Sequence, residues 1–299
     1  MQEVPQGFKS GFASIVGRPN VGKSTLLNKL VGSKVAIMSN KPQTTRNAIR
    51  GILNVESAQV IFIDTPGLHK PKTALGQRLN AVVRRTYSEV DVVVFVLDAS
   101  ESFGKGDAFI SSELERLQTP VICVINKADR TSPPQLMQKI EEARRMGSWH
   151  DVLTTSATLG TGLSDLVAGV VDLLPEGPMY YPRDAVTDQP EALVVAELVR
   201  EKVIELTREE LPHSVAVIVD EMGPREESDL IDIHANVFVE RSSQKGIVIG
   251  NGGKMLKEIG TRARKEIEAL LGSRVFLDLR VKVEPNWQRR QQLLDRLGY

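Results

Sequence analysis

One cysteine, Cys123, stands in a chain of 299 residues. An intramolecular disulfide is therefore impossible, a secreted and stapled fold is excluded, and a reducing cytosol is the expected compartment. Long apolar runs are missing too. The longest, Val90–Ala99, is broken by Asp91 and Asp98 and falls far short of the roughly 20 residues that a membrane-spanning helix needs. The opening MQEVPQGFKSG has no apolar stretch of the secretory-signal kind, so no signal is expected. Net charge is absent: Lys+Arg and Asp+Glu both number 38. What is present, 41% hydrophobic and 25% charged residues, excludes an intrinsically disordered chain. The length suits two domains, each able to bury a core.

Charge is balanced overall but not locally. Residues 1–178 carry 20 basic and 17 acidic side chains, residues 179–240 carry 5 and 15, and residues 241–299 carry 13 and 6. A basic final fifth behind an acidic stretch fits either a nucleic-acid footprint or a solvated helix face.

Between residues 11 and 173, short apolar β-branched runs alternate with helix-like segments. Phe12–Val16, Val60–Ile63, Val92–Leu97, Val121–Ile125 and Val152–Ser156 read as strands, four of them as continuous apolar runs of the kind buried on both faces. Thr25–Val31, Leu75–Tyr87, Ile110–Leu117, Pro134–Arg145 and Leu163–Leu174 read as helices. This alternation predicts a doubly wound, mostly parallel α/β sheet over residues 1–176. Pro178, Pro182 and Pro190 mark an extended linker over 177–190. Residues 191–299 then read helix, strand, strand, helix, strand and a closing helix Gln288–Leu297, with a hairpin around Gly223–Pro224 and a long helix through Leu256, Ile259, Ala263, Ile267 and Leu271. That order is a separate α+β domain.

The strand Phe12–Val16 runs into Gly17-Arg18-Pro19-Asn20-Val21-Gly22-Lys23-Ser24, followed by Thr25 and a helix. This is the phosphate-binding loop pattern in its confirming context. Gly17 and Gly22 let the backbone curl so that N–H groups point at phosphate oxygens beside a helix N-terminus. Lys23 supplies charge to the β- and γ-phosphates, and Ser24 offers a hydroxyl to Mg²⁺. Asp64-Thr65-Pro66-Gly67 follows a second buried strand and puts Asp64 where it can hold Mg²⁺ through water. Asn126-Lys127-Ala128-Asp129 follows a third. A carboxylate such as Asp129 accepts two hydrogen bonds from guanine, whereas adenine presents no such donor pair. Thr155-Ser156-Ala157, after the last strand, can offer a backbone N–H to the guanine carbonyl. Four motifs in this order at strand ends predict a site for GTP and GDP.

The set resembles a translation-factor-type GTPase of bacterial kind, and the likeness extends to Lys41-Pro42-Gln43-Thr44-Thr45-Arg46. It implies that Thr45, with Thr44 as the rival, completes the Mg²⁺ shell with Ser24 and Asp64, and that residues of about 33–51 and 67–87 are nucleotide-sensing switches. Lys23, Thr45, Asp64 and Gly67 are then the candidates for the hydrolytic step. Leu68 stands where Ras-like proteins carry a water-orienting glutamine, and leucine cannot orient water. Attack on phosphate must be organised by backbone groups, a monovalent cation or a partner, and unaided turnover should be slow. Asn20 is the candidate for holding potassium; its alternative role is to tolerate a turn. Arg18 is expected to face solvent.

In the basic region, Gly250-Asn251-Gly252-Gly253 precedes the long helix, with Lys245, Lys254 and Lys257 nearby. This resembles a type II KH module, whose Gly-x-x-Gly loop clamps the backbone of about four single-stranded nucleotides while lysines neutralise phosphates. RNA is expected over DNA. A nucleotide domain joined to a KH domain over essentially the whole chain resembles the Era family of bacterial GTPases. The resemblance implies binding to the 3′ end of small-subunit ribosomal RNA, a role in small-subunit assembly, and loose association with the inner face of the plasma membrane; a monomer is expected. The alternative function is an RNA-binding assembly module that holds GTP for folding or docking, with incidental hydrolysis. His69, His150, His213 and His234 lack metal-ligand spacing. Cys123 reads as core, Trp149 and Trp287 as packing residues, and the acidic residues of 191–232 as a solvated face.

Overall fold

The computed structural model describes residues 6–38, 46, 48–67, 73–207, 211, 214–226 and 228–298. The chain divides into two compact units, the second beginning in earnest at Gln189.

The first unit is built on a six-stranded sheet with the order β2-β3-β1-β4-β5-β6. Its strands are β1 (Lys9–Val16), β2 (Ile49–Asn54), β3 (Ala58–Asp64), β4 (Val92–Asp98), β5 (Val121–Asn126) and β6 (Asp151–Thr154). Only β2 runs antiparallel to its neighbour. Every residue of β3, β4 and β5 is buried, because helices cover both faces of a sheet joined by crossovers. On one face pack Leu26, Leu27 and Leu30 of α1 (Lys23–Val31) with Leu166 and Val170 of α5 (Leu163–Leu173). On the other pack Val83 and Tyr87 of α2 (Ala74–Ser88), Ile110 and Leu114 of α3 (Lys105–Leu114), and Ala143 of α4 (Pro133–Met146). Cys123 lies inside this second cluster, where burial, reinforced by the Asp107 carboxylate, pushes its thiol up to about 12. Trp149 donates its indole N–H to the Ala143 carbonyl at 2.7 Å and packs on Phe95.

Strand β2 was not legible as a strand: Arg50, Gly51 and Asn54 interrupt its apolar pattern. It lies at the sheet edge, and a Cβ on Gly51 would come within 2.7 Å of Leu27 and Val31, so glycine lets α1 settle onto it. The proline-marked segment 177–188 runs along that edge. Ile52 N–H donates to Val186 O (2.9 Å), Arg50 pairs with Asp188 (2.7 Å), and the buried Gln59 amide accepts from Tyr180 and Tyr181 N–H while donating to Tyr181 O. A strap of this kind covers backbone groups that an open edge would leave unpaired.

The second unit contains α6 (Glu191–Leu206), β7 (Ala216–Pro224), β8 (Leu230–Val239), α7 (Ser242–Ile249), α8 (Lys254–Leu271), β9 (Arg274–Val283) and α9 (Gln291–Arg296). Its sheet has the order β7-β8-β9, antiparallel then parallel. Ile233, Ala235, Val237 and Val239 of β8 alternate inward against Ile259, Ala263 and Ile267 of α8 and Val195, Val199 and Val203 of α6. Several boundaries differ from the sequence reading. Gly223 and Pro224 close β7 instead of forming the turn, α3 begins five residues earlier, and the closing helix is a short 3₁₀ turn followed by α9. Helix α7 is additional; Gly246 and three β-branched residues lower its intrinsic propensity. The acidic stretch is not all solvated face: Glu197 and Glu201 are buried, Glu197 is paired with Arg200 at 2.5 Å, and Lys202 bridges Glu201, Glu205 and Glu266. Among the described residues no helix is long and apolar enough to cross a membrane.

Trp287 is fully buried, and its indole N–H donates to Ser214 O at 3.0 Å. Trp287→Ala is expected to destabilise this unit by about 3–5 kcal/mol, measured by urea unfolding.

Candidate functional site

The parallel strands of the first unit end along one edge, and β1, β3, β5 and β6 each deliver a loop there. This is the position at which open α/β sheets bind ligands. The loop after β1 is forced to its shape. Gly22 adopts φ 101°, and a Cβ there would stand 2.3 Å from the Asn126 amide nitrogen; a Cβ on Gly17 would stand 2.5 Å from Val96 O. Asn20 is also left-handed, at φ 67°, which supports its turn role. Val21 turns its side chain into the core. Lys23 is buried and its ammonium donates to Gly17 O (3.1 Å) and Arg18 O (2.8 Å). Burial lowers its pKa to about 8, with Asp64 opposing.

At the foot of α1, the Ser24 hydroxyl donates to Asp64 Oδ2 at 2.6 Å, beside the half-buried Thr25. Two hard oxygens on adjacent elements suit Mg²⁺. Thr65 donates to Ile15 O (2.9 Å), Pro66 is buried, and Gly67 passes so close to the loop that a Cβ would lie 2.7 Å from Pro19 N. Thr44, Thr45, Leu68, His69 and His213 lie outside the described residues, so the switch threonine stays an expectation.

Asn126 joins three loops. Its amide donates to Val21 O (2.9 Å), and its Oδ1 accepts from Ala157 N–H (3.0 Å) and the Thr155 hydroxyl (3.2 Å). Lys127, left-handed at φ 62°, donates to Asn20 O (2.7 Å) and pairs with Asp98 at 2.5 Å. Burial raises the Asp98 carboxyl, but bonds from Lys127 and Ser100 prevail and hold it below the usual range. Asp129 is exposed and accepts from the Ser156 hydroxyl at 2.5 Å. In the unliganded protein the N–H groups of Ser156 and Ala157 donate to Thr161 O and Asn126 Oδ1, and the offer of one of them to a guanine carbonyl stays an expectation. Arg18 needs correcting: it does not face solvent, but donates to Asp107 at 2.7 Å and to Glu101 at 3.3 Å. Asp98 was missed by sequence reading, since a carboxylate ending an apolar strand carries no motif.

In the second unit, Gly250, Asn251, Gly252 and Gly253 connect α7 to α8. All three glycines have positive φ, at 71°, 59° and 78°. A Cβ on Gly250 would press to 2.6 Å on Met255, while Gly252 and Gly253 face open space. Lys254 and Lys257 are exposed in the first turn of α8, and Lys245 is half-buried on α7. From Gly253 a groove of about 480 Å³ runs between α8 and β9, lined by Leu256, Lys257, Thr261, Arg264, Leu277 and Leu279. Thr261 and Arg264 were missed, although they continue the three- and four-residue steps from Lys257 along one helix face. His150 is exposed and His234 faces Asp278 across the sheet; no cluster of metal-binding side chains occurs among the described residues.

A phosphate loop with a guanine-type specificity segment in one unit, and a glycine loop beside a basic groove in the other, define a P-loop GTPase joined to a KH domain. Comparison with known proteins agrees: residues 12–127 match the family described as 50S ribosome-binding GTPase, and residues 210–288 match the KH domain. Over 292 residues the chain is 50% identical to GTPase Era of Heliobacterium modesticaldum, covering 98% of this chain and 97% of that one. It is 41% identical to Aquifex aeolicus Era bound to GDP·AlF₄⁻ (TM-score 0.92, 98% of this chain and 99% of that one). It is 42% identical to Era in complex with MgGDPNP and nucleotides 1506–1542 of 16S ribosomal RNA (TM-score 0.93, the same coverage). The chain belongs to the GTPase Era family.

A polyphosphate beside Lys23 would stabilise its charged form, whereas in the unliganded protein burial lowers its pKa to about 8. Binding above that pH therefore takes up a proton. Affinity for guanosine diphosphate, the ligand the motifs predict, should be level at pH 7 and fall as pH rises through 8 towards 9, measured by calorimetric titration.

Proposed function

We propose that this protein is a GTP-hydrolysing switch that binds the 3′ segment of small-subunit ribosomal RNA through its KH unit and acts in small-subunit assembly in the cytoplasm, in loose contact with the inner membrane face. The observation that carries the nucleotide half is the convergence of the phosphate loop, Asp64, the Asn126–Asp129 segment and the Ser156 loop on one sheet edge, tied together by the Asn126 amide. The match to Era holding a Mg²⁺–nucleotide analogue and 16S RNA supports both halves. The broad family description names the 50S particle. We follow the 16S complex because that likeness spans both units.

In this reading Ser24 and Asp64 hold Mg²⁺, which neutralises β- and γ-phosphate charge when bound. Lys23 exchanges the carbonyls of Gly17 and Arg18 for phosphate oxygens and stabilises the charge that develops on the transferring group. Asp129 accepts from the guanine N–H groups, held in place by Ser156. The Gly250–Gly253 loop admits an RNA backbone because Gly252 and Gly253 have no side chain to block it, and Lys254, Lys257 and Arg264 lie where phosphates would pass. Asn20 is our candidate for holding potassium; equal turnover in K⁺ and Na⁺ would leave that role to the backbone or a partner.

Two outcomes are expected. Asp129→Asn removes a charge-assisted acceptor, so GTP affinity should fall by about 1.5–3 kcal/mol while xanthosine triphosphate affinity rises; unchanged GTP affinity would refute the guanine assignment. Asn251→Asp with Gly252→Asp puts carboxylates where phosphates approach. RNA binding should collapse while basal GTP hydrolysis stays near normal, measured on a 16S 3′-terminal oligonucleotide by fluorescence anisotropy.

A further inference from the structure

Arg18 lies in the middle of the phosphate loop, yet its side chain points away from it. Its Nε donates to Asp107 Oδ1 at 2.7 Å, and its Nη2 reaches Glu101 at 3.3 Å. Asp107 is fully buried, and its second oxygen accepts the Gly104 N–H at 2.9 Å, capping the first turn of α3. The turn is shaped for this contact: a Cβ on Gly106 would come within 2.8 Å of Arg18 Cδ. At its other end, the Arg18 carbonyl accepts from Lys23 at 2.8 Å.

We propose that Arg18 is a positioning residue, a latch that fastens the phosphate loop to the N-terminal turn of α3. The reasoning rests on the GTP reading above. Two carboxylates neutralise the guanidinium and hold it on α3, so its charge is committed there and not to the phosphates. The fork matters, because Nε and Nη2 serve separate acceptors, which a lysine ammonium at the end of a flexible stem reproduces poorly. The buried partner shields the pair from solvent screening. When Lys23 leaves the Gly17 and Arg18 carbonyls for a ligand, the loop loses two of its internal bonds. The latch then keeps the loop in its binding shape, so that no ordering cost is added when the phosphates arrive.

A latch serves every bound nucleotide alike, whereas a group touching the transferring phosphate serves only hydrolysis. The test measures Kd for GDP and for a non-hydrolysable GTP analogue, together with kcat, in the full chain and in Arg18→Ala, Arg18→Lys, Asp107→Asn and the Arg18→Ala/Asp107→Asn double variant. Both single changes should weaken GDP and the analogue by the same factor, about tenfold, with kcat at saturation within about twofold. The double variant should be no weaker than the singles, and Arg18→Lys should recover only part of the loss. Unfolding midpoints identify any variant that fails to fold, and Asp107→Asn, which removes the buried charge together with its pairing, remains decisive if Arg18→Ala, which leaves that carboxylate unpaired, does not fold. Loss of kcat with unchanged GDP affinity in Arg18→Ala would overturn the latch and make Arg18 a phosphate-touching group. So would nucleotide affinities unchanged in Arg18→Ala, or losses that multiply in the double variant. A wild-type chain that binds neither nucleotide would instead refute the GTP reading itself.

Discussion

The Asn126 side chain is the point on which the first unit's site depends. A buried amide needs partners for both its ends, and Asn126 finds them in two other loops: the Val21 carbonyl in the phosphate loop, and the Ala157 N–H and Thr155 hydroxyl in the loop after β6. Gly22 could not be exchanged without changing that junction, since it leaves no room for even a methyl group beside the amide nitrogen. The Lys127–Asp98 pair and the Lys127 bond to Asn20 O brace the same junction from outside. The loop is thus assembled before any ligand arrives, and assembly in advance lowers the ordering cost of binding.

The two units meet phosphate by the same physics under opposite spatial constraints. Each puts a glycine with positive φ immediately before a helix, Gly22 in the first unit and Gly253 in the second, where first-turn N–H groups and the helix dipole favour an anion. In the first unit the glycines are demanded by the protein, because Gly17 and Gly22 are hemmed in by Val96 and Asn126. That enclosure suits a single compact polyphosphate. In the second, Gly252 and Gly253 face open space, and the demand for glycine comes from backbone conformation and from what must approach. An open loop beside a long groove suits a chain passing through, which is the proposed RNA.

What the sequence made legible follows burial. Strands β3, β4 and β5 are buried on both faces and so read as unbroken apolar runs, and motifs at their ends could be placed with them. The edge strand β2 is half-covered and carries Arg50 and Gly51, so its pattern was lost. Helix α7 hid behind Gly246 and β-branched residues, and α3 began early because its first turn, Lys105, Gly106 and Asp107, has no apolar period. The phosphate loop, the guanine segment and the glycine loop were legible because chemistry restricts their residue types. Arg18, Glu197 and Glu201 were misread for one reason: a charged residue in sequence looks solvated, and only structure reveals a partner such as Asp107 or Arg200 that makes burial tolerable. The segment 177–188 read as linker from its prolines, yet Gln59 and β2 hold it along the sheet.

The central claim is that the nucleotide site hydrolyses GTP as a switch and does not merely hold it. The most direct measurement is turnover of GTP and ATP by the full chain with Mg²⁺, with and without an RNA carrying the 3′ end of 16S ribosomal RNA. The account predicts slow hydrolysis of GTP alone, faster with the RNA present, and none of ATP. No GTP turnover above the protein-free control in either condition would contradict it and leave an RNA-binding assembly module that uses GTP for folding or docking.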